Sequence, residues 1–130
     1  MNEKSRNKIS SIRQEIYLLQ KQRNNLIWKM LGSLRFSMIP ATFSLVYRRC
    51  GKKNCKCNRG ERHGPYPAIQ IKINNKMTVK MVKKDDANEV KKKTERYRKY
   101  QEGLARINRL NRQINKLLQE ARDKNLEVYE

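Results

Sequence analysis

Cys50, Cys55, Cys57 and His63 fall within fourteen residues, and the chain has no other cysteine or histidine. Three thiolates and one imidazole are the ligand set of a closed, four-coordinate structural zinc site, which predicts one Zn2+ held by these four residues. The spacing, C-x4-C-x-C-x5-H, is more compact than the paired C-x2-C of most zinc ribbons and fingers. Cys55 and Cys57 can converge only where the backbone between them is extended or turned. Gly51, Gly60 and Gly64 supply turns, and Pro65 and Pro67 stiffen the exit. The competing reading is a basic loop with reduced thiols and a solvated imidazole. An iron–sulfur cluster ranks well below either, because it calls for four cysteines.

The same stretch is dense in cations. Arg48, Arg49, Lys52, Lys53, Lys56, Arg59 and Arg62 face a single acid, Glu61. A metal-folded loop carrying these side chains suits phosphate binding. Three thiolates around one zinc leave a net charge of −1, so some of the cations would instead donate to sulfur. Tyr47 and Tyr66 flank the loop, where anchoring it to neighbouring strands is the favoured role over stacking on a base.

The predicted elements place this loop inside a small sheet. Residues 42–47 alternate and are β-rich, leading into Arg48. Residues 68–73 alternate strictly, Asn74-Asn75 tolerates left-handed backbone, and residues 76–82 return, which predicts a hairpin. Ile69, Ile71 and Ile73 would share one face. Lys72, with Gln70, lies on the other, and Lys76 and Lys80 would extend a basic surface.

Helices flank the sheet. Residues 5–31 carry a heptad seam of Ile9, Ile12, Ile16, Leu19, Leu26 and Met30, with Arg23 in the vacant slot. Trp28 reads as packing rather than as a base-stacking residue, and Gly32 as a helix stop. Residues 33–40 form an apolar connector packed under the following element. Asp86 and Glu89 read as a capping box. The helix behind them carries a seam of Leu104, Ile107, Asn111, Ile114, Leu118 and Ala121, with Gly103 marking a kink or a close helix approach. Its first turns hold Lys91, Lys92, Lys93, Arg96, Arg98 and Lys99, spread around the axis. Aligning Arg23 with Asn111 sets an antiparallel register that brings Ile16 near Leu118 and Met30 near Leu104, with a buried polar layer fixing it. The rival arrangement is a homodimer through the same helices.

The expected fold class is therefore α+β. Two long terminal helices form an antiparallel coiled-coil pair, residues 1–32 and 85–125. A three-stranded antiparallel sheet with the Cys3His knuckle-like loop occupies residues 42–83, all within one compact unit.

At 130 residues, 37% hydrophobic and 34% charged, with a mean hydropathy of −1.01, the core must be thin, and a metal would help so polar a chain to fold. The net charge of +20 and the pI near 10.3 call for an acidic partner, nucleic acid before an anionic membrane. The charge is uneven: residues 48–100 hold eighteen Lys or Arg against five acids, whereas residues 101–130 hold six against five. No apolar run is long enough to cross a membrane, and no signal-type segment follows Met1. With an odd cysteine count, this points to reduced thiols in the cytoplasm.

The segment from Arg48 to Tyr66 resembles a family of small, basic bacterial and archaeal proteins that share a Cys-Gly-x3-Cys-x-Cys-x2-Gly-x2-His-Gly-Pro-Tyr signature. In them a hairpin and a long helix follow, so the likeness covers residues 42 to about 120. Members look like companions of mobile elements, encoded near transposases or recombinases. The resemblance implies an accessory role in transposition or DNA recombination, with a transposase or recombinase as protein partner.

The expected function is non-enzymatic binding of nucleic acid, DNA before RNA, through the phosphate backbone. The alternative is a coiled-coil scaffold or adaptor that binds a recombinase or transposase without touching DNA, with the near-neutral C-terminal segment making the contacts. Catalysis ranks last. Using His63 as a base would spoil the metal site, and a Cys3His set leaves no open position on zinc. No paired carboxylates lie in an apolar context for magnesium chemistry, and no glycine-rich phosphate loop precedes a helix.

Overall fold

A computed structural model describes residues 2–49, 52, 54, 55, 60 and 62–129. The elements are α1 (Glu3–Ser33), β1 (Ala41–Arg48), β2 (His63–Ile73), β3 (Lys76–Met81) and α2 (Ala87–Lys124), with a 3-10 turn at Lys84–Asp86. This is an α+β chain with two helices and a three-stranded antiparallel sheet, ordered β1-β2-β3. It divides into two compact units. One comprises residues 1–34 and 100–130, the other residues 35–99, and α2 contributes to both.

In the first unit, α1 starts where Asn2 accepts the Ser5 amide at 2.8 Å, an N-cap that satisfies one of the free donors of the first turn. The helix runs through Gly32, which therefore does not stop it, and closes at Ser33 with the Leu34 amide on the Leu31 carbonyl. Ile12 and Met30 are buried and the remaining seam positions of α1 are half-buried, whereas most of the rest of the helix is exposed. The seam of α2 departs from the expected one at alternate positions. Ile107, Ile114 and Ala121 lie on the covered side, but Gly103, Leu110 and Leu117 stand where Leu104, Asn111 and Leu118 were expected, and the last three are exposed.

The reason for the shift is steric. A Cβ at Gly103 would sit 2.7 Å from the Met30 sulfur, so Met30 occupies the space that a side chain there would fill. One step along the heptad, Arg23 donates from Nη1 to the Asn111 side-chain oxygen at 3.0 Å. Farther on, Lys8 lies 3.5 Å from Glu120. The Arg23–Asn111 pair is on the rim and not in a buried layer, so its contribution is that of a surface contact, about 0–1 kcal/mol. Trp28 is 73% exposed, against the expectation that it packs.

In the second unit, Asn74 and Asn75 both take positive φ (49° and 64°), the left-handed pair demanded by a two-residue hairpin turn whose twist matches that of its strands. Residues directly opposite in an antiparallel ladder share a face. Phe43, Ile69 and Lys80 are one such row, Ala41, Ile71 and Thr78 another, and Ile73 pairs with Lys76. Lys72 pairs with Met77 on the opposite face. The hairpin lysines thus do not form one basic surface: Lys76 and Lys80 project from the isoleucine side.

β2 is longer than its alternation predicts, reaching back to His63 through two prolines. Those prolines are tolerated because β3 ends opposite Ala68, so residues 63–67 have β1 as their ladder partner and need donate only on that side. The Gly64–Pro65 peptide is cis. The Pro67 carbonyl accepts the Val82 amide at 2.9 Å, closing the hairpin's open end.

The connector before β1 is bonded to α2. Ile39 donates to the Lys93 carbonyl at 3.1 Å, Arg96 reaches the Ser37 carbonyl at 3.4 Å, and the Arg96 guanidinium lies 4.7 Å from the Phe36 ring centre. Thr94 is buried there, bonded to the Lys91 carbonyl. Among the described residues, no helix is long and apolar enough to cross a membrane.

Candidate metal and nucleic-acid site

The site grows from the end of the β1–β2 ladder. Arg48 of β1 pairs with His63 of β2, past a register irregularity between Val46 and Arg48 that leaves Tyr47 unpaired. The extra residue is on β2: Gly64 and Pro65 together stand opposite Tyr47, the two-against-one count of a β-bulge. Gly64 follows His63 at φ +137°, and a Cβ there would lie 2.8 Å from the Val46 carbonyl oxygen and 3.1 Å from the Tyr47 ring. Only glycine fits this close crossing of β2 over β1. The Tyr47 ring over Gly64 accords with an anchoring role.

Across the loop, Cys55 is placed by a turn in which its amide donates to the Lys52 carbonyl at 3.4 Å. Its sulfur meets His63 Nε2 at 2.7 Å, and both residues are half-buried. In this direct contact the thiol donates to an unprotonated nitrogen, or the ring N–H donates to a thiolate. Two of the four expected ligands, eight residues apart in sequence, therefore converge. Cys50 and Cys57, the other two expected ligands, lie outside the described residues. Among the described residues no group of three or more His, Cys, Asp or Glu side chains gathers. A tetrahedral zinc would hold a sulfur and a nitrogen about 3.6 Å apart, so ligation requires this pair to open by about 0.9 Å.

Of the expected phosphate-binding residues, Arg48, Arg49, Lys52 and Arg62 are exposed around the Cys55–His63 contact in sequence, and Lys72, Lys76 and Lys80 are exposed on the hairpin. Lys53, Lys56 and Arg59 lie outside the described residues. Arg96 is engaged by Phe36 and Ser37, so it serves the fold. Sequence reasoning missed the β2 bulge at Gly64-Pro65 and the close crossing at Gly64; the Gly-Pro pair after His63 was the available signal for both.

A family described as a Domain of unknown function (DUF6788) matches residues 9–92, about two thirds of the chain. The chain belongs to this family. The DUF6788 match takes in most of α1, the whole sheet, the Cys50–His63 stretch and the start of α2, and leaves out the part of α2 that carries Gly103 and Asn111. No curated protein and no solved structure matches the chain.

Proposed function

We propose that this DUF6788 protein binds nucleic acid, DNA first, as a non-enzymatic accessory factor of a mobile element. It grips the phosphate backbone through a basic loop stapled by one structural zinc. Cys50, Cys55, Cys57 and His63 are the ligands, and the ion supplies folding free energy to a chain with little core. Arg48, Arg49, Lys52 and Arg62, with Lys53, Lys56 and Arg59, meet the phosphates. The observation that carries this reading is the convergence of the Cys55 sulfur and His63 Nε2 at the mouth of the β1–β2 ladder, with exposed arginines adjoining it in the chain on both sides. The family resemblance in the Cys-Gly to Gly-Pro-Tyr signature supports the link to transposases or recombinases.

A second element of the proposal is that α1 and the later part of α2 pair as an antiparallel coiled coil within one chain. The contacts Met30–Gly103, Arg23–Asn111 and Lys8–Glu120, which run in opposite chain directions, favour it. If that coil is a scaffold for a recombinase, the protein's main contact is with another protein.

A salt-titrated gel-shift assay on a duplex probe separates the two roles. Backbone binding through six or more phosphates loses roughly three orders of magnitude or more in affinity between about 50 and 200 mM salt. Changing Arg48, Arg49 and Arg62 together to Glu should abolish the shift at about 150 mM salt. Unchanged affinity in that variant would remove the loop from the binding surface.

A further inference from the structure

We propose that the outer face of α1, centred on Tyr17 and Trp28, is a stacking platform for single-stranded nucleic acid. It lies in the first unit and involves neither the loop nor the metal, so it goes beyond the reading above.

Tyr17 and Trp28 are 63% and 73% exposed. Eleven residues apart, they stand about three turns and 16 Å from each other along the helix and within about 20° of the same direction. The buried seam residues Ile12 and Met30 point about 140–160° away, so neither ring is needed to cover the seam. Two open grooves flank Tyr17. One, of about 400 Å³, is lined by Arg13, Gln14, Tyr17 and Leu18. The other, of about 310 Å³, includes Lys21 and Asn24. Both volumes lie near the lower end of the range for small-ligand clefts, roughly 300–1,000 Å³.

The charge on this face chooses the occupant. Between Arg6 and Trp28 the only acid is Glu15, which stands about 160° round the helix from Tyr17. The face therefore offers flat apolar rings with Arg13 and Lys21 beside them and no negative counterpart. A second copy of this chain would bring another +20 of charge against it. A duplex keeps its bases inside and offers the rings nothing to stack on. A single strand presents both planar bases and phosphates, the pairing that aromatic rings and interleaved cations recognise without sequence preference.

Trp28 is the only tryptophan, so its emission reports on this face alone. The full-length chain, titrated with a thymidine oligonucleotide of about fifteen residues at about 150 mM salt, should show saturable quenching of Trp28. The same length of duplex should quench far less. Tyr17→Ala should weaken single-strand binding by roughly 5- to 150-fold, the range for losing one stacked base, while helix content measured by circular dichroism stays unchanged. Quenching should persist in the Arg48→Glu, Arg49→Glu, Arg62→Glu chain, which separates this face from the loop. Single-strand binding with Trp28 emission unaltered would overturn the proposal, as would indifference to Tyr17→Ala. Loss of quenching in the loop variant, equal quenching by duplex, or a Trp28 change driven by protein concentration alone would also overturn it.

Discussion

Next to His63, the β2 partner in the Cys55–His63 contact, stands Gly64. Its φ of +137° and the 2.8 Å approach of a would-be Cβ to the Val46 carbonyl leave no room for a side chain. Gly64→Ala should cost about 1–3 kcal/mol from backbone strain, with a further penalty from the collision, and should lower the thermal midpoint measured by circular dichroism. The same substitution at Gly60, which has a positive φ but nothing within 4 Å of its Cβ position among the described residues, should cost less. That His63 and Cys55 come together was legible because their residue types and glycine-rich spacing have few other uses. The crossing at Gly64 was not, since it depends on where β2 takes its extra residue opposite Tyr47, and a bulge leaves no period in the sequence.

Among the elements, the hairpin was the most readable. Asn74-Asn75 fixes a two-residue turn, and the turn fixes the register that puts Ile73 opposite Lys76. The face assignment of Lys76 and Lys80 follows from that register and overrides any simple tally of lysines. For the helices, the apolar period located α1 correctly, and Arg23 does meet Asn111. The α2 seam was placed on Leu104 by its apolarity, although Gly103 reads as a kink or a close helix approach, and close approach selects the smallest residue. Met30 against Gly103 supplies the test. Gly103→Leu should destabilise the chain by about 1–3 kcal/mol through overpacking, visible as a lower denaturant midpoint. Gly103→Ala should be much milder, because the flexible end of Met30 can move and alanine gains about 1 kcal/mol in helix propensity. If both variants match the parent, α1 does not pack on α2 at that level.

At the scale of the whole molecule, charge and a thin core set the behaviour. A net charge of +20 repels itself, and the described core is a handful of side chains such as Ile12, Leu110, Ile114, Ala68 and Ile69. The composition made this legible, and it is the reason a metal is expected to stabilise residues 35–99. The exposure of Trp28 was not legible, because an aromatic at helical spacing reads as packing until the buried side of the helix is known. The most direct test is the zinc-edge X-ray absorption spectrum of the purified, reduced chain after metal loading. A Cys3His site requires one zinc per chain with three sulfurs at about 2.3 Å and one nitrogen at about 2.0–2.1 Å, and loss of one sulfur from that shell in Cys55→Ser. A chain that retains no stoichiometric zinc, or one whose zinc is bound by oxygen and nitrogen alone, would contradict it.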